Sequence, residues 1–189
     1  MTDTTTESES DRNSFNNMIA VAVALISAFM AVSKVKDDNI VQAMQKAQAD
    51  VVDYWNEYQA RQQRRVLVEV TIAQTRALSV DPLPEALGRT VAEWQKAADT
   101  FKGRADEASA KAKASQAAYD ALNDRDDLFD LSDALLSVSL ALFAVTALVR
   151  IRWLFGVATV LGLVGGFFGV CGFAGWTSYS PGWLIALLG

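Results

Sequence analysis

The sequence predicts an all-α membrane protein: three transmembrane helices, with a long antiparallel coiled-coil-like helical hairpin between the first and the second. Three observations carry this. Three apolar runs are long enough to cross a bilayer. The stretch between the first two is rich in Ala, Gln, Glu, Lys and Arg, which is helix composition. Only one strong break interrupts that stretch, at Asp81-Pro82-Leu83-Pro84-Glu85, where prolines stop one helix and open another.

Residues 1–14 (MTDTTTESESDRNS) form an acidic, Ser/Thr-rich tail expected to be disordered. The tail lacks the basic n-region of a secretory signal, so the apolar run after it reads as an uncleaved anchor. That run, residues 15–33, is free of charge and spans about 28 Å as a helix, close to the thickness of the hydrocarbon core.

Residues 34–130 make the hairpin, with its turn near 81–85. Each arm would reach about 60 to 70 Å if continuous. In the second arm Leu87, Val91, Trp94, Ala98, Phe101, Ala105, Ala108, Ala112, Ser115, Tyr119 and Leu122 follow steps of four and three. That is the seam of a left-handed coiled coil. In the first arm Ile40, Met44, Ala47, Val51, Trp55 and Tyr58 set a similar rhythm, and Gln62 falls where the next apolar residue belongs. Arg61, Arg64 and Arg65 surround it, so the seam is expected to be interrupted there. The following VLVEVTIA (66–73) alternates like a strand, but without a partner strand it is read as helix.

Folding the arms about Pro82 sets Tyr54, Trp55 and Tyr58 opposite Ala105, Ala108, Ala110 and Ala112. Large side chains then meet small ones. Two readings of the aromatics follow: core filling, or a docking patch, because three aromatics exceed what one seam position buries. Tyr54, Trp55, Tyr58, Arg61, Gln62 and Arg65 are therefore interface candidates.

Residues 131–149 are the second span and 153–176 the third, joined by the tight basic turn Arg150-Ile151-Arg152. In the third span Gly162, Gly165, Gly166, Gly169 and Gly172 recur every three or four residues. Small residues let helix backbones approach closely in lipid, so these glycines are candidate packing and intersubunit positions. The second span offers Ala134, Ser137, Ala141 and Ala144, and the first Ala20, Ala24, Ser27 and Ala31. The tail 177–189 is too short to cross again and is expected at the interface, with Tyr179 and Trp183 at headgroup depth. Arg12, Arg150 and Arg152 favour a cytoplasmic N-terminus and an extracytoplasmic hairpin. Lys34 and Lys36 argue for the reverse, and the short turn is given the greater weight.

Composition removes whole classes of chemistry. With no histidine there is no Ser-His or Cys-His nucleophile pair and no imidazole ligand, and the single Cys171 builds neither a disulfide within the chain nor a thiolate metal site. No enzyme, cofactor or metal is expected. Asp124, Asp126, Asp127 and Asp130 lack the glycine and terminal glutamate of an EF-hand, and read as a solvated helix end. The net charge of -5, with Asp50, Asp53 and Glu57 near the arginines, argues against nucleic acid.

Asp37-Asp38-Asn39, Gln42-Ala43, then Trp55, Tyr58, Gln59, Ala60 and Arg61, and later Arg150, Arg152 and Trp153, resemble a bacterial membrane-protein family known only as a domain of unknown function. Its signature is Trp-x-x-Tyr-Gln-Ala-Lys, and Arg61 stands here in the lysine position. The resemblance implies a multi-pass protein of the bacterial inner membrane and no activity. The expected function is an oligomeric membrane scaffold or accessory subunit. Its partners would be the bilayer, further copies of itself and a larger membrane complex. A small ion channel and a membrane sensor are the alternatives, the channel disfavoured because no ionisable residue lies deep in a span.

Overall fold

The computed structural model describes residues 3–80 and 82–177, with side chains from residue 13 onward. The described residues form three helices and no strand: α1 (Asp3–Leu78), α2 (Glu85–Val149) and α3 (Arg152–Ala174). All three are long and apolar enough to cross a membrane. Helix α1 runs unbroken from Asp3, so it takes in most of the tail expected to be irregular as well as the 66–73 segment. The 178–189 part of the expected interfacial tail, including Tyr179 and Trp183, lies outside the described residues.

The helix ends follow local chemistry. Helix α1 stops at Leu78, four residues before Pro82, and α2 opens at Glu85 directly after Pro84. The Pro84 carbonyl accepts the Gly88 N–H at 2.9 Å, and Arg89 pairs with Glu85 at 3.0 Å in the first turn. At its other end α2 closes with the Arg150 N–H on the Thr146 carbonyl at 2.8 Å. Arg150 sits at φ 57°, a left-handed conformation that costs a side-chain-bearing residue about 1–2 kcal/mol. Gly175 ends α3 at φ 71°, and the Trp176 N–H reaches back to the Cys171 carbonyl at 2.9 Å. Lacking a Cβ, glycine takes that conformation freely.

The chain divides into two compact units, Met1–Ala43 with Ala121–Gly189, and Met44–Asp120. The first is a bundle of three helix segments. Ser132 Oγ donates to the Gly165 carbonyl at 2.8 Å and Ser139 Oγ to the Ala158 carbonyl at 2.7 Å, which ties α2 to α3. Phe15 and Phe143 stack against Phe155 at one end, and Phe29 and Phe129 against Phe173 at the other. Without a hydrophobic force between helices in lipid, such close contacts and hydroxyl bonds supply the association.

In the second unit every position of the α2 seam from Leu87 to Tyr119 is buried or half-buried, and Ala105, Ala108 and Ala112 are sealed. The α1 side corrects the expected seam. Its covered positions are Ala47, Val51, Tyr54, Tyr58, Arg61, Arg65, Val68 and Ile72, while Trp55 is 36% exposed and Ala110 is exposed. The expected path took two four-residue steps in succession from Ala47 to Trp55. Each such step overshoots one turn of a 3.6-residue helix, so a lasting seam must alternate four with three. With that alternation the seam continues through Arg61 and Arg65 and is not interrupted at Gln62.

Candidate functional site

The predicted interface residues fall into two groups, one in each unit. In the second unit, Tyr54 and Tyr58 are half-buried and Trp55 meets the Tyr58 ring edge-on at 5.4 Å. Lys111 of α2 sets its ammonium 5.9 Å from the Tyr54 ring centre. Arg61 pairs with Glu57 at 2.7 Å, Arg65 approaches Glu69 at 3.6 Å, and Gln62 donates to the Tyr58 hydroxyl at 3.2 Å. These arginines keep their stems along the seam while their charges are met by acids on their own helix. That arrangement leaves them poorly suited to phosphates.

Turned away from the seam, Val52, Trp55, Val66, Leu67 and Val70 remain exposed, Leu67 at 68%. Gln62, Gln63, Val66, Leu67 and Val70 line a shallow apolar depression of about 460 Å³. Sequence reasoning singled out Trp55 and Gln62 here but missed Val66, Leu67 and Val70. The available signal was their apolar character on the face opposite a correctly phased seam.

In the first unit, Gly162, Gly165, Gly169 and Gly172 are all buried. A Cβ at Gly169 would come within 2.7 Å of the Phe29 ring and 2.8 Å of Ser132 Oγ. At Gly172 it would meet the Phe129 ring at 2.9 Å, at Gly165 Leu135 and Leu136 at 3.0 Å, and at Gly162 Ser139 Oγ at 2.9 Å. These four glycines are therefore occupied by the chain's own helices. Gly166 has nothing within 4 Å and faces outward with the exposed Leu163, Phe167 and Val170.

A polar cluster gathers where α1 and α2 meet near residues 33–37 and 126–133. Ser33, Lys34, Asp37, Asp130, Ser132 and Asp133 line a cavity of about 20 Å³, closed on its apolar side by Met30, Phe129 and Leu136. Lys34 donates to Asp37 Oδ2 at 2.7 Å, and this bond raises the lysine above its ordinary pKa. Burial pushes Asp127 and Asp130 upward from the carboxylate range. Of the acidic set, Asp124 and Asp130 are exposed while Asp126 and Asp127 are half-buried, so the reading as a solvated helix end holds for part of it only. Among the described residues no group of three or more His, Cys, Asp or Glu is placed to hold a metal ion. Arg125, not singled out in the sequence, donates to the Gly172 carbonyl at 3.1 Å and to that of Phe173 at 3.4 Å. It supplies positive charge to the carboxyl end of α3, where the helix dipole is negative.

The family model described as a domain of unknown function (DUF4337) matches residues 15–175. The chain belongs to the DUF4337 family. The match takes in α1 from residue 15 onward, the whole of α2 and α3, and every interface candidate named above. No curated protein and no solved structure matches the chain.

Proposed function

We propose that this DUF4337 protein is a non-catalytic, oligomeric scaffold or accessory subunit of the bacterial inner membrane. In this reading the first unit lies in the bilayer and the arms of the second form an antiparallel coiled-coil-like hairpin, on the extracytoplasmic side. The observation that carries it is the exposed apolar face of Val52, Trp55, Val66, Leu67 and Val70. Val66, Leu67 and Val70 belong to the second unit, outside the charge-free run 15–33. An exposed group of large apolar side chains in water marks a protein contact.

The occupant we assign is a second copy of the chain. Beside the face, Arg61 is engaged with Glu57 and Gln62 with Tyr58 on their own helix, which leaves its apolar side chains as the main contact offered. A face of that kind is self-complementary, as a two-fold interface requires. The outward face of α3 through Gly166 and Phe167 offers lipid or a neighbouring copy a second contact. The buried glycines are left out of it.

A photo-crosslinking residue at position 67 in native membranes, followed by mass spectrometry, tests the reading. Crosslinks joining two copies through positions 52–70 are expected. Crosslinks to lipid alone would overturn it.

A further inference from the structure

We propose that Asp37 on α1 and Asp126 on α2 form a proton-binding site in the first unit, with one proton held between Asp37 Oδ1 and Asp126 Oδ1. The proposal stands independently of the scaffold reading, since it concerns the inside of one bundle. Both oxygens are buried without a hydrogen-bond partner, and Asp37 is among the groups that raise Asp126. Two ionised carboxylates can only accept, so in that state both oxygens stay unsatisfied and two like charges face each other. A single proton makes one oxygen a donor and satisfies both.

A second observation places a small polar guest beside Asp37. Ser33 is only 9% exposed, its Oγ has no partner, and it lines the 20 Å³ cavity together with Asp37, itself 6% exposed. That volume suits about one water molecule. Such a water would link Asp37 to the outside and carry the proton in as hydronium or out to hydroxide, with no bond but O–H made or broken.

The surroundings assign the two roles. Asp37 Oδ2 accepts from Lys34, which sets the ammonium on the Asp37 side of the pair. Asp126 has no cation of its own: Arg125 beside it is committed to the α3 carbonyls, and Asp127, Asp130 and Asp133 add negative charge along α2. On α1, Asp38 lies 3.6 Å from Lys34 and draws on the same ammonium. From this end of α3 come Cys171 and no charged side chain. Desolvation first, and then the facing Asp37, push Asp126 up to about 7.

Infrared titration of the full chain in nanodiscs provides the test. A protonated-carboxyl band is expected at mildly acidic pH, disappearing with a midpoint near neutrality, absent in Asp126→Asn and retained in Asp130→Asn. Should Asp126→Asn not fold, Asp37→Asn decides: removing the facing charge should lower the midpoint toward the ordinary carboxylate range, about 4. A wild-type band already lost near pH 5, a band unchanged in Asp126→Asn, or a midpoint unmoved in Asp37→Asn would overturn the proposal. So would a midpoint that moves with sodium concentration at constant ionic strength, since the site would then take a metal cation.

Discussion

Lys111 holds its ammonium 5.9 Å from the centre of the Tyr54 ring, and the two residues lie at nearly equal chain distances from Pro82. That contact joins α1 to α2 within the second unit. It also explains the alanines: with Tyr54 and Tyr58 on one arm, the other must present small side chains such as the sealed Ala105, Ala108 and Ala112.

Enlarging a sealed alanine should therefore separate the arms. Ala105→Leu is expected to destabilise the second unit by about 1–3 kcal/mol, the usual cost of overpacking. Ala110→Leu, on the exposed face, should leave stability within about 0.5 kcal/mol. Thermal unfolding followed by circular dichroism checks both.

The glycines of α3 give a matching contrast. Gly169→Ala would drive a methyl into the Phe29 ring and Ser132 Oγ, so a loss of about 1–3 kcal/mol is expected. Gly166→Ala meets open space and should be neutral or slightly stabilising through helix propensity. Denaturation in detergent micelles would distinguish them.

Arg125→Gln should loosen the end of α3, because the guanidinium bonds to the Gly172 and Phe173 carbonyls are lost. A cost of about 1–2 kcal/mol is expected for a charge-assisted contact at a helix terminus. Arg125→Lys should recover only part of it, as one ammonium cannot reproduce the fork. Amide exchange at residues 170–175 reports the change locally.

Much of this was legible in the sequence. The three spans, the break at Pro82 and the α2 seam follow from hydropathy and spacing, because burial in each case repeats with the helix period. Trp55 was misplaced because apolar residues at both 54 and 55 fit the next step locally. Only the path onward through Arg61, Arg65, Val68 and Ile72 decides between them, and those arginines disguise it. The glycine face was visible, but its partners were not: Phe29 and Phe129 meet it from helices far away in the chain. Nothing in the spacing of Asp37 and Asp126 announces that each carries a buried oxygen without a hydrogen-bond partner.

Stability should depend on pH with a definite sign. Asp126 keeps its proton up to about 7 in the fold, well above its ordinary range. A carboxyl with a raised folded pKa favours the folded state at acid pH, and that contribution fades as pH rises toward the folded value. Burial moves Asp127 and Asp130 in the same direction. The melting temperature is expected to fall between about pH 4 and pH 7 and then level off, with a smaller fall in Asp126→Asn.

The most direct measurement of the central claim is sedimentation of the full chain in mild detergent, wild type beside Leu67→Glu. The expected result is one defined oligomer for the wild type, shifted to monomer when a charge enters the exposed apolar face. A wild type that is monomeric at micromolar concentration, or an oligomer indifferent to Leu67→Glu, would contradict self-association through this face.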